Sequence, residues 1–385
     1  MVPRPIRVAM LGSLPPLRGI SGYCLEMARS VSRRVPVEFV TFKSMYPGFL
    51  YPGGELKDDM TFPAIEQPGL SVRRSLTWYN PASWLIEGFR IRADVLHAQH
   101  WSLPLAPIYF TVLLLAKLRG VKVVLTLHNV RSHERSRLYG ATTRALCRLA
   151  DRCVVHSESN CRQALREMKL PENKLCMIRP GALSFFNDGP ADRAAARRAL
   201  DLPTEGPVIL CFGSIRPYKG IDVLLRAFAQ VLPEIPSAAL LIAGRPWDDW
   251  KPRQKLIDEL RIGAGVRTHL KYIPADEVKR YFHAADLCVL PYTHFDGQSA
   301  AGLAAMAFSK PMIVTDVGGL PELVSDPRSV VPASDADALA ARIAECLKDP
   351  ERLARMRDDA AKLAQTFSWD RIAEESVALY ESVHG

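Results

Sequence analysis

The chain has 385 residues, 48% hydrophobic and 24% charged, a length that exceeds what one core usually supports and a composition ordinary for a soluble two-domain protein. Eight scattered cysteines, none in a CxxC pair, argue against a disulfide framework or a zinc site. The net charge of +9 is uneven: residues 1–181 hold 26 Lys and Arg against 13 Asp and Glu, and the remainder 24 against 28. Such a basic first half suits an acidic partner (phosphates, an anionic membrane face, nucleic acid) and equally suits a solvated surface.

The opening "MVPRPIRVAMLG" is too short in its apolar part for a signal peptide and runs straight into a strand. "VEFVTF", "DVLHAQ", "KVVLTLHN" and "RCVVHSES" continue as short valine-rich runs, separated by helical stretches such as "GYCLEMARSVSRR", "PIYFTVLLLAKLRG" and "TTRALCRLA". "LPLAPIYFTVLLLAKL" is too short and too proline-bearing to span a bilayer and reads as a core helix. A polar, proline-bearing passage, 179–207, then separates this half from a second alternating series: "VILCFGS", a helix over 220–235, "AALLIAGR", a helix over 252–262, "HLKYI", a helix over 275–284, "LCVLPY", a helix from Ser299 and "PMIVTDV". One helix is expected over 335–365, and another closes the chain over 368–383. Apolar strands alternating with helices give an α/β chain with two doubly wound, Rossmann-like domains, whose ligands belong at the carboxyl ends of the strands.

Four places could carry chemistry. Gly19 and Gly22 lead from a strand into a helix near Ser21, where backbone can approach an anion; a tight turn explains them equally well. The spacing is not GxGxxG, and no acidic residue ends the second strand, which argues against a nicotinamide dehydrogenase. In "CFGSIRPYKGIDVLLRAF", Gly213 and Ser214 end a strand and the cations Arg216 and Lys219 precede a helix, a setting that can neutralise a diphosphate without P-loop spacing. His128 stands at a strand end beside Asn129; His97, His100 and His133 have weaker cases, and no HExxH or HxxxH spacing suggests a metal. In "FDGQSAAGLAAMA", Asp296, Gly297, Gln298, Ser299 and Ala300 precede or open a helix, so the N–H groups of Gln298, Ser299 and Ala300 are expected at its positive end. A plain capping role for Ser299 or Asp296 competes and could coexist.

With these stretches in order, "DVLHAQ", "TLHN", "ADRCVVHSES", "GSIRPYKGIDVLLRAF", "YFHAADLCVLPY" and "AMAFSKPMIVTDVGGLPELV" resemble the retaining glycosyltransferases of family 4, the "group 1" family, nearly end to end. The resemblance implies a GT-B fold: two Rossmann-like domains facing each other across a cleft. An acceptor domain would span 1–185, completed by the helix at 368–385, and a nucleotide-sugar domain 190–367. It further implies that Gly19 and Gly22 back the diphosphate and donor sugar, that His128 contacts the donor sugar, and that Lys219 holds the diphosphate. The chain departs from the family twice. Ser214 stands where Arg is usual, with Arg216 expected to supply the charge, and the usual pair of glutamates is Asp296 and Ala304. Transfer by the family's front-face route, in which the leaving phosphate accepts the acceptor's proton, needs neither cofactor nor metal. The implied partners are a nucleoside-diphosphate sugar, a saccharide or polyprenyl-diphosphate-linked acceptor and an anionic membrane surface, which Arg73, Arg74, Arg131, Arg135, Arg137, Arg144, Arg148 and Arg152 could meet. No nucleic acid is expected, since cations and aromatics do not interleave and no reader motif occurs. The expected location is cytoplasmic, at the inner face of the membrane. A nucleotide-sugar-binding scaffold without turnover, or a nucleotide-sugar epimerase of similar fold, would leave much of the same pattern.

Overall fold

A computed structural model describes residues 4–47, 50, 58–130 and 137–385, apart from the side chain of Arg137. The chain forms two compact units, Met1–Gly181 with Phe367–Gly385, and Ala182–Thr366. In the first, β1 (Val8–Leu11), α1 (Ser21–Ser32), β2 (Val37–Ser44), β3 (Leu70–Thr77), α2 (Pro81–Arg90), β4 (Val95–His100), α3 (Ala106–Leu118), β5 (Lys122–Leu127), α4 (Arg137–Leu149), β6 (Arg152–Val155), α5 (Glu158–Gln163) and β7 (Leu175–Met177) follow one another. The strands pair in parallel in the order β3-β2-β1-β4-β5-β6-β7. β1 and β4 are buried along their whole length, β1 as an apolar run covered on both faces and β4 with His97, Gln99 and His100 among its buried side chains.

The second unit holds α6 (Arg193–Ala199), β8 (Val208–Phe212), α7 (Ile221–Val231), β9 (Ala239–Ala243), α8 (Lys251–Glu259), β10 (Val266–His269), α9 (Val278–Ala284), β11 (Leu287–Leu290), α10 (Ala300–Ala307), β12 (Met312–Thr315), β13 (Val330–Val331), α11 (Ala336–Lys348) and α12 (Pro350–Thr366). Its parallel order is β10-β9-β8-β11-β12-β13. The closing helix, α13 (Trp369–His384), returns to the first unit, where Trp369, Ile372, Tyr380 and Val383 join its core. In both sheets the strand order reverses beside the first strand, between β1 and β4 and between β8 and β11, so the loops after those strands diverge and leave room for a ligand.

Several sequence expectations are corrected. β3, at the sheet edge, was not expected: it lacks an apolar run because most of its side chains are exposed or half-exposed. The strand expected over 269–273 lies at Val266–His269, where one buried valine and pairing to β9 fix it. The helix expected over 335–365 is two, because Asp349 leaves the helical conformation and Pro350 opens α12. The polar passage contains α6, whose Arg197 is fully buried: its guanidinium meets Asp286 at 2.6 Å and donates to the carbonyls of Ala284, Pro203, Thr204 and Gly206.

Candidate active site

The site in the second unit is built from the loops after β8 and β11. Gly213 ends β8 at φ 103°, and its amide bonds to Ala243 O. The chain then turns through Ile215, which pairs with Pro246, into a short 3-10 helix over Pro217–Lys219. Gly220 closes that turn at φ 66°; a Cβ there would lie 1.8 Å from Pro291 O, so only glycine lets the two loops touch. This contact presses Lys219 onto the loop after β11.

Lys219 is buried, and burial lowers its pKa from the ordinary 10.5. Its Nζ donates to Tyr292 Oη and lies 4.2 Å from the Tyr292 ring centre. Tyr292 Oη is in turn 2.8 Å from Ser299 Oγ, which accepts from Gly302 N at 3.3 Å and caps α10. One chain of polar contacts thus joins the basic loop to the helix N-terminus. Because Ser299 is the cap, the N–H groups left over in the first turn are those of Ala300 and Ala301. This corrects the expectation for Gln298 and Ser299, whose amides precede the first turn, and adds Ala301 to Ala300.

Gln298 instead turns its carboxamide toward the 318–319 turn: a Cβ on Gly319 would sit 2.6 Å from Gln298 Nε2. Both polar atoms of that carboxamide are buried with no hydrogen-bond partner among the described residues. Gly297 O accepts from Gly319 N at 3.2 Å, which ties this turn to the loop carrying the half-buried Asp296. Arg216 lays its guanidinium over the Trp247 ring, 3.4 Å from the centre, and Ser214 is exposed. Ala304 lies buried in α10 and can offer no polar group. Tyr292, Tyr218 and Trp247 escaped sequence reading; Tyr292 was visible only as the last letter of an apolar strand.

In the first unit, Gly19 has φ 100° and faces Trp101, whose Nε1 would be 3.4 Å from a Cβ there, while Gly22 lies in the first turn of α1. His128 donates from Nε2 to Gln99 Oε1 at 3.0 Å, and its ring sits 4.7 Å from Tyr23 and 4.9 Å from His156. Burial, then the neighbouring histidines, hold its pKa well below 6.5, so it acts as a neutral imidazole. His97 has both nitrogens engaged, with Tyr380 Oη and Thr126 Oγ1 each at 2.6 Å, and is structural. His156 donates from Nδ1 to Ile178 O at 2.9 Å, leaving Nε2 buried without a partner. Of the arginines expected at an anionic surface, Arg73 is taken up by Glu38 and Glu87, while Arg144 and Arg152 donate to the carbonyls of Glu167 and Asp151. Arg131 and Arg135 lie outside the described residues, as does His133.

The family described as glycosyl transferases group 1 matches residues 192–363, and a glycosyl transferase 4-like domain matches residues 18–181. A D-inositol 3-phosphate glycosyltransferase of Thermobispora bispora is 32% identical over 318 residues, covering 76% of this chain and 72% of that protein. The chain belongs to the group 1 glycosyltransferases of family 4. A second such enzyme, from Streptomyces scabiei, is 29% identical over 296 residues, 74% of this chain and 64% of its own length, so the chain spans less than two thirds of that relative. Anabaena HepE, solved in complex with UDP and glucose, superposes with a TM-score of 0.76 at 17% identity, covering 98% of this chain and all of that one. The two parallel sheets and this superposition give the glycosyltransferase the GT-B fold.

Proposed function

We propose that this glycosyltransferase moves a sugar, with retention at the anomeric carbon, from a nucleoside-diphosphate sugar to a saccharide or polyprenyl-diphosphate-linked acceptor in cell-surface polysaccharide or glycolipid synthesis. The observation that carries the reading is the Lys219–Tyr292–Ser299 chain beside the first turn of α10. An ammonium has three donors; Tyr292 takes one and leaves two for a diphosphate. Gly213, with no Cβ, lets phosphate oxygens come near, and Ala300 and Ala301 offer N–H groups at a positive helix end. Arg216, stacked on Trp247, would add the charge that Ser214 lacks.

Negative charge builds on the leaving diphosphate as the glycosidic bond breaks. Groups already aimed there stabilise the transition state without reorganising, typically the largest catalytic contribution. These cations assign the neutralising role to the protein itself, with no metal in the proposed step. Gly19, Gly22 and the neutral His128 are assigned to the diphosphate and donor sugar, and Asp296 to a sugar hydroxyl. With Asp296 the one carboxylate proposed for the donor, a covalent double displacement lacks its nucleophile–acid pair. In the front-face route the leaving phosphate oxygen takes the acceptor proton instead. Gln298, with an unused donor and acceptor, and Gly297 and Ser299 beside it would hold nucleotide hydroxyls that a glutamate at 304 usually grips.

HepE has been solved with UDP and with UDP-glucose, so uridine nucleotides are the first to test. Thermal melting with UDP, GDP, ADP and their sugar conjugates should show stabilisation by one nucleotide class, followed by transfer in an assay with that donor. Undiminished transfer in the Arg216→Ala, Lys219→Ala double variant would reject the assignment. Ala304 favours a second reading, a scaffold that binds donor without turnover. Stabilisation by nucleotide with neither transfer nor donor hydrolysis would select it.

A further inference from the structure

The large hydrophobic side chains exposed among the described residues all lie in the first unit. Five of them sit on two neighbouring helices: Leu85, Ile86 and Phe89 of α2, 48%, 59% and 59% exposed, and Phe110 and Leu118 of α3, 42% and 74% exposed. Positions 85, 86 and 89 form one stripe on α2; 110 and 118, with the half-buried Leu114 between them, form one on α3. The right-handed crossovers β3-α2-β4 and β4-α3-β5 advance in the same direction along the sheet and therefore place both helices on the same side. Gly88 lets them close up, since a Cβ there would lie 2.7 Å from Leu115 Cδ1. Arg119 Nη1 donates to the carbonyls of Phe89 and Ile91, the latter at 3.1 Å, so the two helix ends adjoin and Phe89 and Leu118 belong to one patch.

The rim of that patch is cationic. Residues 79–93 and 106–122 contain Arg90, Arg92, Lys117, Arg119 and Lys122 against a single carboxylate, Glu87, which is buried on Arg73. Lys117 is engaged by Asp151 at 2.8 Å. Scattered exposed hydrophobes need no explanation, but a contiguous patch with a rim dominated by cations does. A second copy docking through the same face would bring two cationic rims together. An anionic bilayer matches both halves of the patch, apolar side chains and cations. No helix of the described residues is long and apolar enough to cross a membrane, which fits a face lying at the interface.

We propose that the α2–α3 face docks this glycosyltransferase on an anionic lipid bilayer, with Leu85, Ile86, Phe89, Phe110 and Leu118 at the headgroup–acyl boundary and Arg90, Arg92 and Arg119 against lipid phosphates. The proposal deepens the lipid-linked acceptor reading, because a chain held on the bilayer meets an acceptor confined there.

The test is co-sedimentation of the full chain with phosphatidylcholine vesicles, with and without phosphatidylglycerol, at low and high salt, with no sugar nucleotide present. Binding is expected only with phosphatidylglycerol and should weaken with salt. Arg90→Gln, Arg92→Gln and Arg119→Gln together should lower partitioning, about fivefold for each cation removed. Ile86→Ser, Phe89→Ser and Leu118→Ser together should abolish it, with Leu118→Ser alone giving a partial loss, and melting temperature and nucleotide-induced stabilisation should stay unchanged. The proposal is overturned if phosphatidylglycerol vesicles do not bind the native chain or if both combined variants bind as it does. Loss through Arg144→Gln and Arg148→Gln instead, or an apolar variant that turns a lipid-free dimer into a monomer while vesicle binding persists, overturns it as well. Since the assay contains no donor, its failure leaves the transfer reading to be judged by the nucleotide melts alone.

Discussion

In the first unit β4 carries His97 and His100, and His128 and His156 follow β5 and β6, beside Tyr23 and Gln99. Past β8 and β11 in the second unit the polar side chains are Lys219, Tyr292 and Ser299. The topology is shared, and the burial is similar. Burial strips the charge from an imidazole, which starts near 6.5, and lowers Lys219 from its ordinary 10.5 in the same direction. One strand-end layout thus gathers imidazoles in one unit and a lysine held by a phenol in the other. The lesson is that residue type, set on a shared topology, makes the two strand-end clusters chemically different, and the proposed diphosphate role falls to the one with the lysine.

The sharpest way to break this contrast is to remove the cation. Lys219→Ala should abolish nucleotide-induced stabilisation and lower kcat/KM by about 10²–10³-fold, the usual cost of a transition-state charge partner. His128→Ala should slow transfer yet leave the melting shift with free nucleotide intact. Equal loss of that shift in both variants would erase the division of labour.

Acid should separate the units next. Burial lowers His97 to about 3 and His100 and His156 to about 4, below the unfolded value near 6.5, so protonation favours unfolding. Their contribution to stability is fully present above about pH 6.5 and is lost as pH falls toward about 4, about 1.4 kcal/mol for each histidine one unit below 6.5. His269 and His283 in the second unit shift the same way but are only half-buried. Hydrogen exchange, corrected for its intrinsic pH dependence, should show β4, β5 and β6 losing protection before β8, β9 and β11. Equal loss in both sheets would refute the assignment of acid sensitivity to the histidines.

The smallest expected effect is that of Tyr292→Phe, which keeps the ring over Lys219 and removes the phenol. A lost hydrogen bond to a cation costs about 1.5–3 kcal/mol when nothing replaces it, less where water can enter. About a three- to tenfold rise in donor KM with kcat nearly unchanged would mark Tyr292 as a residue that positions Lys219. A fall in kcat alone would mean that the phenol acts on the reacting atoms.

Much of the fold was written locally. Buried strands read as valine-rich runs, helices as apolar residues three and four apart, and the Gly213–Lys219 loop as a glycine turn with cations before a helix, because each signal depends on near neighbours. Edge elements were not legible in the same way: β3 buries one of its eight side chains and β10 one of its four, so neither has the apolar run that marks a strand. The site was legible in part. Lys219 and Ser299 could be named from the sequence, but not the phenol joining them, since Lys219 and Tyr292 are 73 residues apart and meet only because β8 lies beside β11. Similarly, "PIYFTVLLLAKL" announces a core helix. That Phe110 and Leu118 stay uncovered beside α2 follows from which side of the sheet the crossovers select and from Gly88 drawing the helices together. The sequence by itself determined which segments are buried strands, which are amphipathic helices and where charge accumulates, because burial patterning is a local property. Partners distant in the chain, and the faces left bare, were decided by strand order and packing.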